Sequence, residues 1–173
     1  MRARLAVSLV VYGASALGAQ GVRVNFQAWR EPVLMDTLRQ DHDLKADPEV
    51  VYQAALRAFA ALDIPVGNTA GKSGIIGSEK FQRMRMLGGA MLSKSFNCGE
   101  GPTGPKADWY RLEIAVVVFV APMPGGGAGT RLGLATVAEG RDPTGPYGTP
   151  RECGSTGGLE LKLLNKITQL AGG

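Results

Sequence analysis

The sequence predicts an α+β fold: an antiparallel sheet with two helices packed on one face, closed by one disulfide. Three observations predict it. Apolar residues recur at helical spacing twice, once before and once after the stretches that alternate. The two strongest alternating stretches, 110–121 and 131–139, are joined by a Gly/Pro-rich turn too short to hold a crossover helix, so they run antiparallel. The only cysteines, Cys98 and Cys153, are far apart in the chain, with none of the close spacing of a redox or metal pair.

The chain opens with Arg2 and Arg4, an apolar run over 5–17 and small residues over 14–20. A charged start, a short apolar core and a small-residue exit make a secretory signal peptide. A core of about thirteen residues falls short of the ~20 needed to span a bilayer. Cleavage is expected between residues 17 and 20, so that 1–19 is the signal peptide and 20–173 is a single domain, periplasmic or secreted. The start of the mature chain carries no cysteine for lipid attachment. In an oxidising compartment two thiols with no third have one intramolecular pairing, Cys98 with Cys153.

Past the signal, Val22, Val24 and Phe26 alternate with Arg23, Asn25 and Gln27, the pattern of a half-buried strand. Residues 29–46 are mixed, and Pro32 with the charged stretch 39–45 points to a second extended piece or a loop. A helix follows. Asp47 caps it, Pro48 fits its first turn, Glu49 suits its positive end, and Val51, Ala55, Phe59 and Leu62 form one stripe that stops near Asp63. Residues 64–69 and 74–81 read as two short strands of a hairpin turned at 70–73. Residues 82–108 hold many glycines and prolines with no period, a long loop that either packs or functions, with Cys98 to hold it down. In 110–121, Leu112, Ile114, Val116, Val118 and Val120 share one face, while the other turns apolar midway at Ala115, Val117 and Phe119, as in a central strand. The chain ends in a helix with the stripe Leu159, Leu163, Ile167 and Leu170, entered through Ser155-Thr156-Gly157 with an ordinary Ser/Thr cap and ended by Gly172-Gly173.

Most function classes are excluded at this level. The full chain carries 19 basic and 15 acidic residues, and removing Arg2 and Arg4 leaves a mature net charge of +2. That gives no electrostatic footing for nucleic acid. Gly67-Asn68-Thr69-Ala70-Gly71-Lys72-Ser73 has one residue too few between Gly67 and Gly71-Lys72 for a phosphate-binding loop, so no nucleotide is expected. The single histidine, His42, sits between Asp41 and Asp43 in a charged stretch and lacks the partners of a catalytic triad. Asp36, Asp41, His42 and Asp43 have no metal-ligand spacing. No catalytic residue, metal or cofactor is assigned. Glu113 and Glu139 face each other if the long strands pair as a hairpin, which keeps open a secreted hydrolase using sheet-face carboxylates. A carrier holding an apolar small molecule between sheet and helices is the other alternative.

One segment invites a binding role. Residues 80–94 interleave cations with methionines, whose soft, flexible side chains suit adaptable contact surfaces. Lys80, Arg83, Met84, Arg85, Met86 and Lys94 are the expected contact residues, facing an envelope protein, a membrane complex or anionic lipid headgroups.

Asn97-Cys98-Gly99, the segment 104–108 and Cys153-Gly154-Ser155-Thr156-Gly157-Gly158-Leu159-Glu160 together resemble a group of small exported bacterial proteins with a D-C-G … C-x-S-T-G-x-L-E pattern, across about residues 47–170. Asn97 stands where that group has an acid. The resemblance implies the fold and the disulfide and no particular activity. In outline the layout is also similar to helix-grip domains of envelope lipoproteins, including one in the outer-membrane barrel-assembly machinery, a likeness of architecture alone. The expectation from sequence is a non-catalytic extracytoplasmic binding or accessory protein that docks on an envelope component.

Overall fold

The computed structural model describes residues 22–67, 69–70, 73–144 and 148–172. The expected signal peptide, and positions 68, 71 and 72 of the 67–73 segment that approximates a phosphate-binding loop, lie outside the described residues. In chain order the described elements are β1 (Arg23–Val24), β2 (Val33–Leu34), β3 (Gln40–Leu44), α1 (Pro48–Ala61), β4 (Thr69–Ala70), β5 (Ile75–Gly77), β6 (Phe81–Met84), β7 (Met86–Leu87), β8 (Ala90–Met91), β9 (Phe96–Asn97), β10 (Glu100–Gly101), β11 (Gly104–Pro105), β12 (Arg111–Pro122), β13 (Thr130–Arg141), β14 (Arg151–Ser155) and α2 (Gly158–Leu170).

The β12–β13 hairpin is the spine of an antiparallel sheet, paired over its whole length from Arg111↔Arg141 to Pro122↔Thr130. Beside β12 lie β5 and β6, and beside β13 lie β3 and β14. Strand alternation then sorts the two faces. Leu112, Ile114, Val116 and Val118 meet the helices in one core with Val51, Phe59, Leu159, Leu163 and Ile167. Both helices therefore pack on one face, as the sequence predicts. The opposite face carries Ala115, Val117, Phe119, Ala135 and Val137, and a strap formed by residues 22–37 covers it with Phe26, Val33 and Met35. This second core explains why the outer positions of β12 turn apolar midway.

Asp47 caps α1 by accepting the Glu49 N–H at 2.9 Å. The helix ends in a Schellman turn: Asp63 is left-handed at φ 55°, Ile64 N–H donates to the Phe59 carbonyl at 2.9 Å and Asp63 N–H to that of Ala60 at 3.3 Å. Ile64 thus closes the helix instead of starting a strand. The expected 64–69 and 74–81 hairpin shrinks to β4 against β5, with Thr69↔Ile76 and Ala70↔Ile75, and β6 pairs separately with β12.

At the other end, α2 begins at Gly157, which is left-handed at φ 80° and offers no side-chain cap. The hydroxyls expected to cap it act just outside the helix. Ser155 Oγ accepts the Gly157 N–H at 3.0 Å and Thr156 Oγ1 that of Gly158 at 3.4 Å. Cys98 and Cys153 are joined by a disulfide that ties the 82–108 region to β14. That region is ordered by packing, as a chain of two-residue ladders and tight turns with Leu87, Leu92, Phe96 and Ala107 buried. Among the described residues, no helix is long and apolar enough to cross a membrane.

Candidate functional site

The exposed methionines come together where β6 gives way to β7. Arg85, between them, is left-handed at φ 69°, a conformation rare for a residue with a Cβ. It ends the pairing of Met84 with Arg111 of β12 and turns the chain into the β7–β8 hairpin. Gly88 and Gly89, at φ 56° and 77°, form the two-residue turn, the both-positive geometry that matches strand twist. Met86 and Met91 are consequently cross-strand partners. The hairpin tip is held against the helices by Lys162 Nζ, which donates to the Gly88 carbonyl at 2.9 Å, and by buried Leu87.

Met84, Met86 and Met91 remain 48%, 49% and 39% exposed, in a protein whose other large apolar side chains are mostly covered. Met91 also lines a cleft of about 380 Å³ with Arg85, Thr103, Pro105, Asp108 and Trp109. Asp108 is not a free charge there, because its Oδ1 accepts the Ser93 N–H at 2.8 Å and holds the 92–94 turn. Among the described residues, Arg85, Lys94 and Arg111 make no ion pair.

The six expected contact residues do not share one surface. Lys80 is 3.3 Å from Glu113 and lies over the Phe26 ring, tying the strap to the sheet. Arg83 donates to the Asp63 and Gln82 carbonyls and stacks over Phe81. Alternation along β6 sends Arg83 to the Leu112 face and Met84 to the Arg111 face. Lys94 is exposed at the end of the 92–94 turn, its carbonyl accepting from Thr156 Oγ1 at 2.7 Å. Met84, Arg85 and Met86 stay together. Met91, Trp109 and Arg111 join them from other elements, and the sequence alone does not show this, because only the β6–β12 and β7–β8 registers bring them near.

Glu113 and Glu139 are direct cross-strand partners, as the hairpin requires. Both are engaged by neighbours. Glu139 is completely buried under the strap, accepting the Ala28 N–H at 2.8 Å with Oε2 and lying 3.3 Å from Arg141 with Oε1. Glu113 faces Lys80. Alternation also separates the residues around His42: Asp41 and Asp43 are exposed and pair with Arg39 and Arg131, while His42 points to the opposite side. Asp36 accepts the Val22 N–H at 2.7 Å. Among the described residues no three His, Cys, Asp or Glu side chains are grouped to hold a metal ion. The layer between sheet and helices is filled by fully buried Phe59, Phe96, Leu112, Ile114, Leu159 and Leu163.

The C-x-S-T-G-x-L-E segment serves the fold. Buried Glu160 accepts from Thr136 Oγ1 at 2.5 Å and from Ser155 Oγ at 2.6 Å, fastening α2 to β13 and β14, while its Oε2 is buried without a hydrogen-bond partner. A Cβ on Gly158 would lie 1.9 Å from the Lys94 carbonyl oxygen, so only glycine lets α2 start there. Two exposed groups elsewhere are electrostatically tuned. The Thr144 hydroxyl and then its N–H hold the Asp142 carboxyl below its ordinary range, and the hydrogen bond and charge of Asp43 raise Arg131. Compared with protein-family models and with curated proteins, the chain matches none.

Proposed function

We propose that this chain is a non-catalytic extracytoplasmic binding or accessory protein that docks on a protein of the cell envelope through the face built from Met84, Arg85, Met86, Met91 and Arg111. The observation that carries the reading is the exposure of three neighbouring methionines beside two arginines that make no ion pair among the described residues. Exposed apolar surface of this kind, rimmed by charge, marks contact sites. Methionine adapts its shape to a partner, and arginine supplies steering and hydrogen bonds at the rim. Export is supported by the charged and apolar start of the sequence and by the disulfide, a bond that persists in oxidising compartments. The likeness to the exported group around Cys98 and 153–160 points the same way.

The test is capture from envelope membranes of the source organism by the mature protein. Arg85→Glu with Arg111→Glu should abolish association and leave the melting temperature nearly unchanged, because exposed charges contribute little to folding. Association should also weaken as salt rises. Capture undiminished by the double reversal, or capture by protein-free anionic vesicles alone, would overturn docking on a protein.

A further inference from the structure

We propose that Met84, Met86 and Met91 are a site of reversible oxidation: peroxide adds one oxygen to each thioether, the sulfoxides block docking of the free chain, and their enzymatic reduction restores it. This regulation rests on docking through the same face.

Access decides which thioethers an oxidant reaches. Met84, Met86 and Met91 are exposed, whereas Met35 is completely buried between the strap and the sheet. Met123 is half-buried and follows the end of β12 opposite to Arg111, away from this face. Met1 belongs to the expected signal peptide. No thiol competes for the oxidant, because Cys98 and Cys153 are joined in the disulfide. An exported chain also meets oxidants without the thiol pool that keeps the cytosol reduced.

The step is a two-electron oxygen transfer. The sulfur lone pair attacks one peroxide oxygen, the O–O bond breaks, and the remaining oxygen leaves as water. A dithiol methionine sulfoxide reductase reverses it: the oxygen leaves as water while two thiols of the enzyme become a disulfide. Each of the two sulfoxide epimers needs its own enzyme.

The consequence falls on the contact and spares the fold. Oxidation turns a flexible apolar side chain into a polar one. In the free chain the new oxygens stay in water, and none of the three side chains belongs to either core. Against a partner that packs on apolar thioethers, each oxygen loses water without gaining a donor, which weakens association. Met86 and Met91 are cross-strand partners and Met84 lies two positions before Met86, so the oxygens accumulate on one surface. A docked partner covers the same sulfurs and shields them, so the oxidant acts on the free chain.

The test treats the mature protein with hydrogen peroxide, maps added oxygen by peptide mass spectrometry, and repeats the capture from envelope membranes. Met84, Met86 and Met91 should oxidise at least about tenfold faster than Met35, with Met123 in between. Capture should weaken about tenfold or more, equivalent to ~1.4 kcal/mol, at an unchanged melting temperature. The two sulfoxide reductases together should restore it. Protein already held on membranes should keep the three methionines unoxidised.

Two variants separate sulfur chemistry from shape. With leucine at positions 84, 86 and 91 the protein should dock and ignore peroxide, whereas Met86→Gln, polar without any oxidant, should dock poorly from the start. Equal oxidation of Met35 and the exposed three, undiminished capture of the oxidised protein, or peroxide sensitivity retained in the triple leucine variant would each overturn the regulation. So would a melting temperature that falls with capture, which would make the loss an effect of unfolding. Capture that survives oxidation overturns the regulation alone, whereas no capture of the unoxidised parent overturns docking and the regulation with it.

Discussion

Replacing Cys98 and Cys153 together by serine should lower stability by about 4 kcal/mol. The bridge spans 55 positions of sequence. The chain-entropy cost of closing a loop of that length in the unfolded state is ~4 kcal/mol at 25 °C. For a domain of this size each kcal/mol moves the thermal midpoint by roughly 2–4 °C, so a fall of about 8–16 °C is expected. The loss should be local before it is global. β9 pairs with β14 through only Gly154↔Asn97 and Ser155↔Phe96, and β10 and β11 pair only with each other. Without the bridge, side-chain burial and single hydrogen bonds, from Lys162 to the Gly88 carbonyl and from Thr156 to the Lys94 and Ser95 carbonyls, hold this region. The sulfurs also fill space that only a glycine leaves open, since a Cβ on Gly140 would lie 3.1 Å from Cys153 Sγ and 2.9 Å from Tyr110 Cδ2. Thermal melts by circular dichroism, with hydrogen exchange on the native state, provide the assay. Amides of β7 to β11 should open first, while β12 and β13 keep their protection. A midpoint within ~2 °C of the parent, or exchange that rises evenly across the chain, would refute the reasoning.

Glu139→Ala should cost about 2 kcal/mol, because the Ala28 N–H loses its acceptor beneath the strap; denaturation followed by Trp29 fluorescence, whose ring packs in that second core, should show the strap loosening. Gly158→Ala should destabilise by about 3 kcal/mol, since the new methyl meets the Lys94 carbonyl and α2 must shift; a midpoint in urea equal to the parent's would contradict this. Thr144→Val removes the hydroxyl that holds down the Asp142 carboxyl, so the folded-state pKa should rise toward the ordinary aspartate value in an NMR titration. The sign follows from that depression. In the parent the stabilisation is present above the unfolded aspartate pKa and is lost as pH falls through the folded one, and the variant, whose backbone N–H at position 144 still donates to Asp142, should show a smaller dependence.

Elements with strong periods were legible in the sequence. The α1 cap at Asp47, its stripe, the β12 and β13 pattern, the α2 stripe and the cysteine pairing all follow from local rules that the tertiary structure reinforces. β14 was not legible, because in Arg151-Glu152-Cys153-Gly154-Ser155 only Cys153 is buried and one apolar residue has no period. It becomes a strand because β13 offers an open edge at Ala138, Glu139 and Gly140 and the disulfide holds it there. The 82–108 region is similar, since two-residue ladders are too short to show alternation. The site was half legible. A run of methionines and cations marked Met84, Arg85 and Met86, but the left-handed turn at Arg85 and the register with β12 decide that Arg83 faces away and that Arg111 and Trp109 come near.

Site-specific photo-crosslinking in the source organism tests the docking face most directly. A benzophenone side chain at position 86, in the methionine face, is compared with one at position 50, where Val50 is 43% exposed in the first turn of α1. A discrete envelope-protein adduct is expected from position 86 and none from position 50, with the position-86 adduct lost when Arg85→Glu is added. Equal adducts from both positions, or none from position 86 while the protein is folded and exported, would contradict the assignment of this face.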